Sequence, residues 1–530
     1  MYVEPNTNIY LLSGVPLDRE HVNTLYFSNT GEQANYFSSK AVASLTRNTY
    51  QRIKRGYARV EGKAETLYKC NYMMFQNSNH GRKWFYAFIT SVEYINENCC
   101  EIEFEIDNIQ TWITEMKLGH CMIERCHTPT DEIGVNLEPE TIEFGEYKTT
   151  ATQATGYFNR YAMVVLTAET VTGEAPSSES WKAVAAGLPM GIYAYAWLPN
   201  EEGNYLNAFK VLNDFIDSAD SILTVFLYPA DFIEINLQNF VKSEQITKEI
   251  KPTQTIRPTD FDGYIPKNNK LFTYPYTMLR VSTSYGSSIS CRYEYFKDGT
   301  PDFDIIGGFS ANPSLLLVPH NYNGSIYEWG SALEISQFPQ VAYKNDTYRA
   351  WVAQGGLLEE AKRAVGIVGG AVSGFGTSYI GAMAGMSNPV TMGTAAFAGG
   401  VSLLAGATGM IIENERMKNA PDTSRGSCSG TAQFCSRKLN YYFDVRQIRR
   451  ENAEIVDEYF TMFGYAYNKV GIPNIHARPH YTYIKTANAI VTGNIPSTAC
   501  TDIKASLNSG ITFWVNGNEV GNYSVDNSPS

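Results

Sequence analysis

The chain has 530 residues, enough to bury several cores and to form two to four structural units. Its 44% hydrophobic, 18% charged and 13% aromatic content excludes a disordered chain, and 36 Tyr with 26 Phe tilt the fold toward half-buried strands. A net charge of −12 argues against tight nucleic-acid binding, which needs Lys and Arg to displace counterions, but is compatible with a surface past which DNA slides.

Met1 to Tyr10 carries neither a basic nor an apolar leader region, so no signal peptide is expected. Nine cysteines, an odd count without metal-like spacing, read as free thiols made in a reducing cytoplasm. Residues 1–146 read as an N-terminal β-rich domain. Within it, Lys83 to Thr90 is an aromatic run of buried-strand type, and Cys100 to Asp107 alternates. Ile102, Phe104 and Ile106 point to one side of that strand, Glu101, Glu103, Glu105 and Asp107 to the other. Residues 147–342 form a second β-rich domain, with strands expected at Tyr161–Thr167, Gly191–Leu198 and Leu223–Tyr228. Its helix is carried by Tyr205, Phe209, Leu212, Phe215, Ile216 and Ala219. Residues 343–420 hold a long hydrophobic loop with its flanks, and 421–530 a C-terminal segment that returns to the first domain. There Arg450 to Phe463 reads as a helix with Ile455, Tyr459, Phe460 and Phe463 on one face and Gly464 at its C-cap. Ile511–Val515 and Val520–Val525 read as a hairpin around Asn516-Gly517. The fold class is therefore mainly β, with barrel- or sandwich-like domains, a few helices and one long helical or irregular loop.

That loop is the strongest signal. From Ala364 to Ile412, 49 positions carry no charge and no histidine, where the overall composition would place about nine charged residues. Asn388-Pro389 divides it into legs of 24 and 23 residues, and about 20 apolar residues cross a bilayer. Glu359, Glu360, Lys362 and Arg363 precede it; Glu413, Glu415, Arg416 and Lys418 follow. Twelve glycines make it a poor helix in water, as befits a segment stored in protein and released later. Gly366, Gly370 and Gly374, and Gly381 and Gly385, recur at the four-residue spacing that lets helices pack closely in lipid. Lipid- or axis-facing groups would be Ile367, Val368, Val372, Phe375, Tyr379, Ile380, Met383, Val390, Phe397, Val401, Leu403, Leu404, Ile411 and Ile412, with Pro389 at the turn. A Gly/Ala-rich hairpin packed permanently in a core or oligomer axis is the alternative, although such cores normally prefer bulkier residues.

Three stretches resemble the distal tail-knob protein of phi29-like short-tailed bacteriophages. They are Tyr72-Met73-Met74-Phe75-Gln76-Asn77 with Lys83 to Phe88, Phe104 to Asp107 and Gln110-Thr111-Trp112; the uncharged loop; and Gly510 to Trp514 with Gly521 to Val525. The resemblance implies a virion protein assembled in the host cytoplasm as a homo-hexameric tube at the distal end of the tail. It further implies a lumen plugged by the loops, which exit to form a channel in the host cytoplasmic membrane for genome ejection. Implied partners are its own copies, the proximal tail tube or lower collar, a wall-degrading tip protein, membrane lipids, and DNA in transit without sequence-specific binding. A passive hub or receptor-binding virion protein whose loop stays in the axis is the alternative, and a secreted pore-forming toxin a further rival.

The carboxylates Glu101, Glu103, Glu105 and Asp107 are candidates to line the lumen, where six chains of −12 would repel phosphate; a solvated or paired strand face is the plainer account. The basic residues Arg47, Arg52, Lys54, Arg55, Arg59 and Lys63 fit a subunit contact or plain solvation better than RNA binding. Cys121, Cys126 and His127 are too irregular for zinc, and Arg478-Pro479 opposes a helical metal face at His476 and His480. Gly426 to Gly430 has the letters of a nucleophile elbow but lies in a polar stretch with no strand before it. No catalytic group, metal or cofactor is expected.

Overall fold

In a computed structural model of the chain, the residues described are 7–48, 56–77, 81–156, 158–167, 182–185, 188–198, 222–235, 241, 246–308, 313–336, 338, 343–345, 423–425 and 439–529, and they are mainly β. They divide into two units. The first holds Met1–Glu146, Thr259–Tyr276 and Ile448–Ser530; the second holds Tyr147–Pro258 and Thr277–Gln447. Thr259–Tyr276, placed by the sequence in the middle domain, thus belongs to the first unit. The helix expected at Tyr205 to Ala219 lies outside the described residues.

The first unit is built on a six-stranded antiparallel sheet, ordered Ala41–Asn48, Thr7–Ser13, Cys70–Asn77, Trp84–Asn96, Cys99–Ile106, Tyr57–Glu61. The register Tyr72↔Phe88 and Met74↔Tyr86 puts these side chains on one face, packed with Leu12, Phe37 and Trp514. Met73, Ala87 and Ile102 go to the other face, with Leu11, Val60 and Leu67. Both faces are covered at the centre, which is why Trp84 to Ile89 is an unbroken apolar and aromatic run.

A five-stranded sheet follows the order Asn23–Leu25, Ile511–Trp514, Tyr481–Ala487, Cys121–Cys126, Tyr465–Gly471. Ile511–Trp514 pairs in parallel with Asn23–Leu25 and antiparallel with Tyr481–Ala487. Both of its edges are therefore occupied, and the expected hairpin with Val520 to Val525 does not form. Val520, Tyr523 and Val525 pack instead against the cluster around Trp514.

The helix Arg450–Phe463 is present, and it buries Ala453, Val456, Asp457 and Phe460. Ile455, expected on its apolar face, is 64% exposed. The buried stripe follows 453, 456, 457 and 460, so Ile455 falls outside it. Gly464 ends the helix with φ 64° and ψ −155°, a region only glycine visits readily, and an added Cβ would meet the Cys126 carbonyl. Gly464→Ala is expected to cost about 3 kcal/mol, because the backbone it meets cannot yield. Urea denaturation measures this, and an unchanged midpoint would refute it.

The second unit contains three four-stranded sheets, on Tyr441–Ile448, Tyr161–Thr167 and Phe303–Gly308 among others. Every residue of Tyr161–Thr167 is buried, between Leu188–Trp197 and Ile222–Pro229. One continuous core runs from Phe158 to Phe443, and the Tyr441 hydroxyl donates to the Leu315 carbonyl at 2.8 Å inside it.

Candidate functional site

The acidic row stands on Cys99–Ile106, where alternation turns Ile102 into the core and the glutamates away from it. Antiparallel register sets Arg59 opposite Glu101 and Tyr57 opposite Glu103. Arg59 Nε donates to Glu101 at 3.1 Å, the Tyr57 hydroxyl donates to Glu103, and Arg19 Nε meets Glu105 at 2.9 Å. On its other side the strand sets Glu93 directly opposite Glu101, a like-charge pairing that Arg59 relieves. Two arginines against four glutamates leave this face acidic. Its exposed pairs each contribute little, about 0–1 kcal/mol. It is a paired strand face.

Asp107 does not belong to the row. It is completely buried, at the N-cap of Asn108–Trp112, where its Oδ1 accepts from the Gln110 amide at 2.9 Å and its Oδ2 from the Tyr72 hydroxyl at 2.8 Å. The alternation simply ends where the helix begins. The Asp107-x-x-Gln110 spacing is the capping pattern that could have been read. Burial raises its carboxyl above the ordinary range, and His21, 4.0 Å away, opposes that shift.

The loop residues Ala364 to Ile412, with every apolar group and glycine singled out on it, lie outside the described residues, as do Arg52, Lys54, Arg55 and Gly426 to Gly430. What is described is where the excursion departs and returns. Tyr343–Asn345 and Thr423–Arg425 form a two-stranded antiparallel ladder, Asn345 opposite Thr423. Strand pairing brings Asn345 and Thr423, the described residues that flank 346–422, to within about 5 Å of each other.

The first unit also holds a polar cluster that the sequence reading missed. Asp457, 1% exposed, accepts from the Tyr264 hydroxyl at 2.7 Å, the Lys267 amide at 2.8 Å, the Asn268 amide at 3.0 Å and the Asn268 side chain at 2.9 Å. Asp131 accepts from the Asn269 amide at 3.1 Å and the Tyr465 hydroxyl at 2.5 Å. Glu140 is shared by Lys270 Nζ, at 2.5 Å, and Arg125. All three carboxylates are engaged, and together they hold the segment 259–276 against the helix and strands. The available signal was an acidic letter, Asp457, on the stripe of Ala453, Val456 and Phe460.

Cys126 and His127 lie in the same unit. Burial pushes the Cys126 thiol up to about 11, and holds the His127 imidazole down at about 3, with Arg478 adding to the effect. His476 stacks on Tyr26 at 4.7 Å while His480 meets Glu519 at 3.1 Å, so the two serve separate contacts. Among the described residues no group of three or more His, Cys, Asp or Glu is placed to hold a metal.

Residues 237–528 match the family model described as the C-terminal domain of the tail knob protein gp9 of Bacillus phage phi29, and residues 5–117 match the N-terminus of the caudoviral major tail protein. Over 98% of both chains the sequence is 24% identical to tail knob protein gp9 of Bacillus phage phi29 and 26% identical to that of Bacillus phage PZA. Its fold resembles the tail knob protein gp12 of bacteriophage C1, with a TM-score of 0.60, 15% identity, and coverage of 98% of this chain and 99% of that one.

Proposed function

The chain belongs to the family of the phi29 tail knob protein and is a structural component of a phage tail, and from that premise we propose that it forms a homo-hexameric tube plugged by its uncharged loops. On infection the six loops leave the lumen and line a channel in the host cytoplasmic membrane, through which the genome passes. One hairpin makes a poor pore; several around an axis can satisfy each other's backbone groups in hydrocarbon. The row Glu101, Glu103 and Glu105 faces the lumen in this reading and keeps phosphate from adhering. Being a tail component, the chain assembles with other tail proteins; those adjoining this tube would be the proximal tail tube and a wall-degrading tip.

The observation that carries the reading is the 49-residue uncharged segment, hung between two strands paired at its base. Such a base lets the excursion be exchanged without disturbing either unit. Replacing residues 364–412 by a short Gly/Ser linker is expected to leave ring assembly intact and abolish leakage of dye-loaded liposomes, tested at acidic and neutral pH. Equal leakage from both proteins would remove the membrane role. Lost assembly, with the intact ring leaving liposomes sealed, would establish a passive hub.

A further inference from the structure

Residues 131–146 of the first unit form a ribbon with six carboxylates and no lysine, arginine or histidine. From Leu137 to Glu143 its exposure alternates at a period of two, as in a strand, with Leu137, Pro139, Thr141 and Glu143 outward. No strand lies beside it. Among the described residues no backbone amide from Asn136 to Glu143 finds an acceptor, so the ribbon can receive an extended chain by main-chain bonds. Its inward side is fastened: Glu140 is shared by Lys270 and Arg125, and Phe144 meets Tyr276 at 5.8 Å.

The outward side is apolar with an acidic rim. Ile133, Val135 and Leu137 are 36, 53 and 37% exposed. Glu138 meets Lys469 at 3.4 Å and Glu146 meets Arg449 at 2.8 Å, surface pairs of little strength. Exposed Glu132 and Glu143 have no cation within 4.0 Å among the described residues. The Lys469 contact sets the ribbon beside Tyr465–Gly471, the edge strand of the five-stranded sheet, where Val470 and Ile472 are exposed as well. Apolar groups gathered in this way on a surface mark a place where another chain docks.

The occupant follows from ring symmetry and charge. Identical copies close into a ring only through two unlike patches, each copy giving one and receiving the other. Residues 47–55 hold four cations and no carboxylate, with Tyr50 and Ile53 among them. They lead from Ala41–Asn48 to Tyr57–Glu61, the two outermost strands of the six-stranded sheet. We propose that the ribbon 131–146 of each copy seats the basic stretch 47–55 of the next, a contact that gives the ring its direction. The inference rests on the hexameric reading above, and names the surfaces that close it.

Ordinary and 15N-labelled full-length chains, mixed before assembly, are treated with a carbodiimide, which joins a carboxylate to a lysine amine with loss of water. The expected product, read by mass spectrometry, is an amide between Lys54 and Glu132 or Glu143 in peptide pairs of mixed isotope. Pairs of one isotope alone would seat the stretch on its own chain and overturn the proposal. Glu132→Lys with Glu143→Lys is expected to raise the concentration at which rings half-assemble by about tenfold or more, with circular dichroism unchanged. Arg52→Glu with Arg55→Glu should do the same, and a chain carrying all four changes should assemble again. Both charge-reversed variants assembling at the parent's concentration would overturn this contact and leave the ring standing. A parent chain that stays monomeric at every concentration and salt would overturn both.

Discussion

Asp457→Ala is expected to destabilise the first unit by about 4 kcal/mol, since it strips one buried carboxylate from four donors, of which the Asn268 side chain keeps the Thr461 hydroxyl at 2.9 Å and the residue-457 carbonyl at 3.1 Å. The loss stays below the sum of four charge-assisted bonds, at roughly 1.5–3 kcal/mol each, because water can enter the space and the bonds are not additive. Asp457→Asn keeps the shape but turns an amide N–H₂ toward donors, and is expected to cost about half as much. The effect should be local as well as global. The Lys267 and Asn268 amides both donate to this carboxylate, so their hydrogen exchange should accelerate by about 10³, the factor that 4 kcal/mol corresponds to. Exchange at those two amides unchanged from the parent protein would show that Asp457 does not hold the segment 259–276.

The same residue marks the boundary of what can be read from letters alone. Elements whose cause is local were legible. The buried strand Tyr161–Thr167 announces itself by seven consecutive residues able to go inside, and Arg450–Phe463 by its spacing and by the glycine that ends it. Pairings whose cause is distant were not. Asn23–Leu25 joins Ile511–Trp514 across almost the whole chain, and nothing near residue 520 says that both edges of that strand are already taken. The acidic row is an intermediate case. Its period of two correctly separated Glu101, Glu103 and Glu105 from the core, but the same period carried on one residue too far, into the cap at Asp107. Buried polar groups such as Glu140 and Lys270 are the hardest. Their letters are those of solvated side chains, and only the fold pairs them across 130 residues of sequence.

The first unit is also expected to lose stability as the medium turns mildly acidic, and His127 supplies the mechanism. Its Nδ1 already accepts the Tyr483 amide proton, so protonation there would set two N–H groups against each other. Burial is the larger reason the imidazole stays neutral, and the neighbouring cations Arg478 and Arg125 add to it; its folded value falls from the usual 6.5 to about 3. A group with a depressed folded value contributes stability that is complete above 6.5 and drains away as pH falls toward 3. The slope is about 1.4 kcal/mol per pH unit, so about 2 kcal/mol is lost between pH 6.5 and 5, and about 5 kcal/mol over the whole range. Asp107 and Asp131 act with the opposite sign. Burial raises both, so the folded chain holds their protons more tightly and gains as pH falls from those raised values toward the ordinary 3.8. Their gain opposes the His127 loss, so the decline of the parent protein is the difference between the two, and removing the imidazole isolates its share. In urea titrations from pH 7.5 to 5, His127→Asn, which keeps an acceptor for the Tyr483 amide but does not titrate, should show a nearly flat midpoint where the parent declines. Parallel declines in the two proteins would assign the acid sensitivity to other groups.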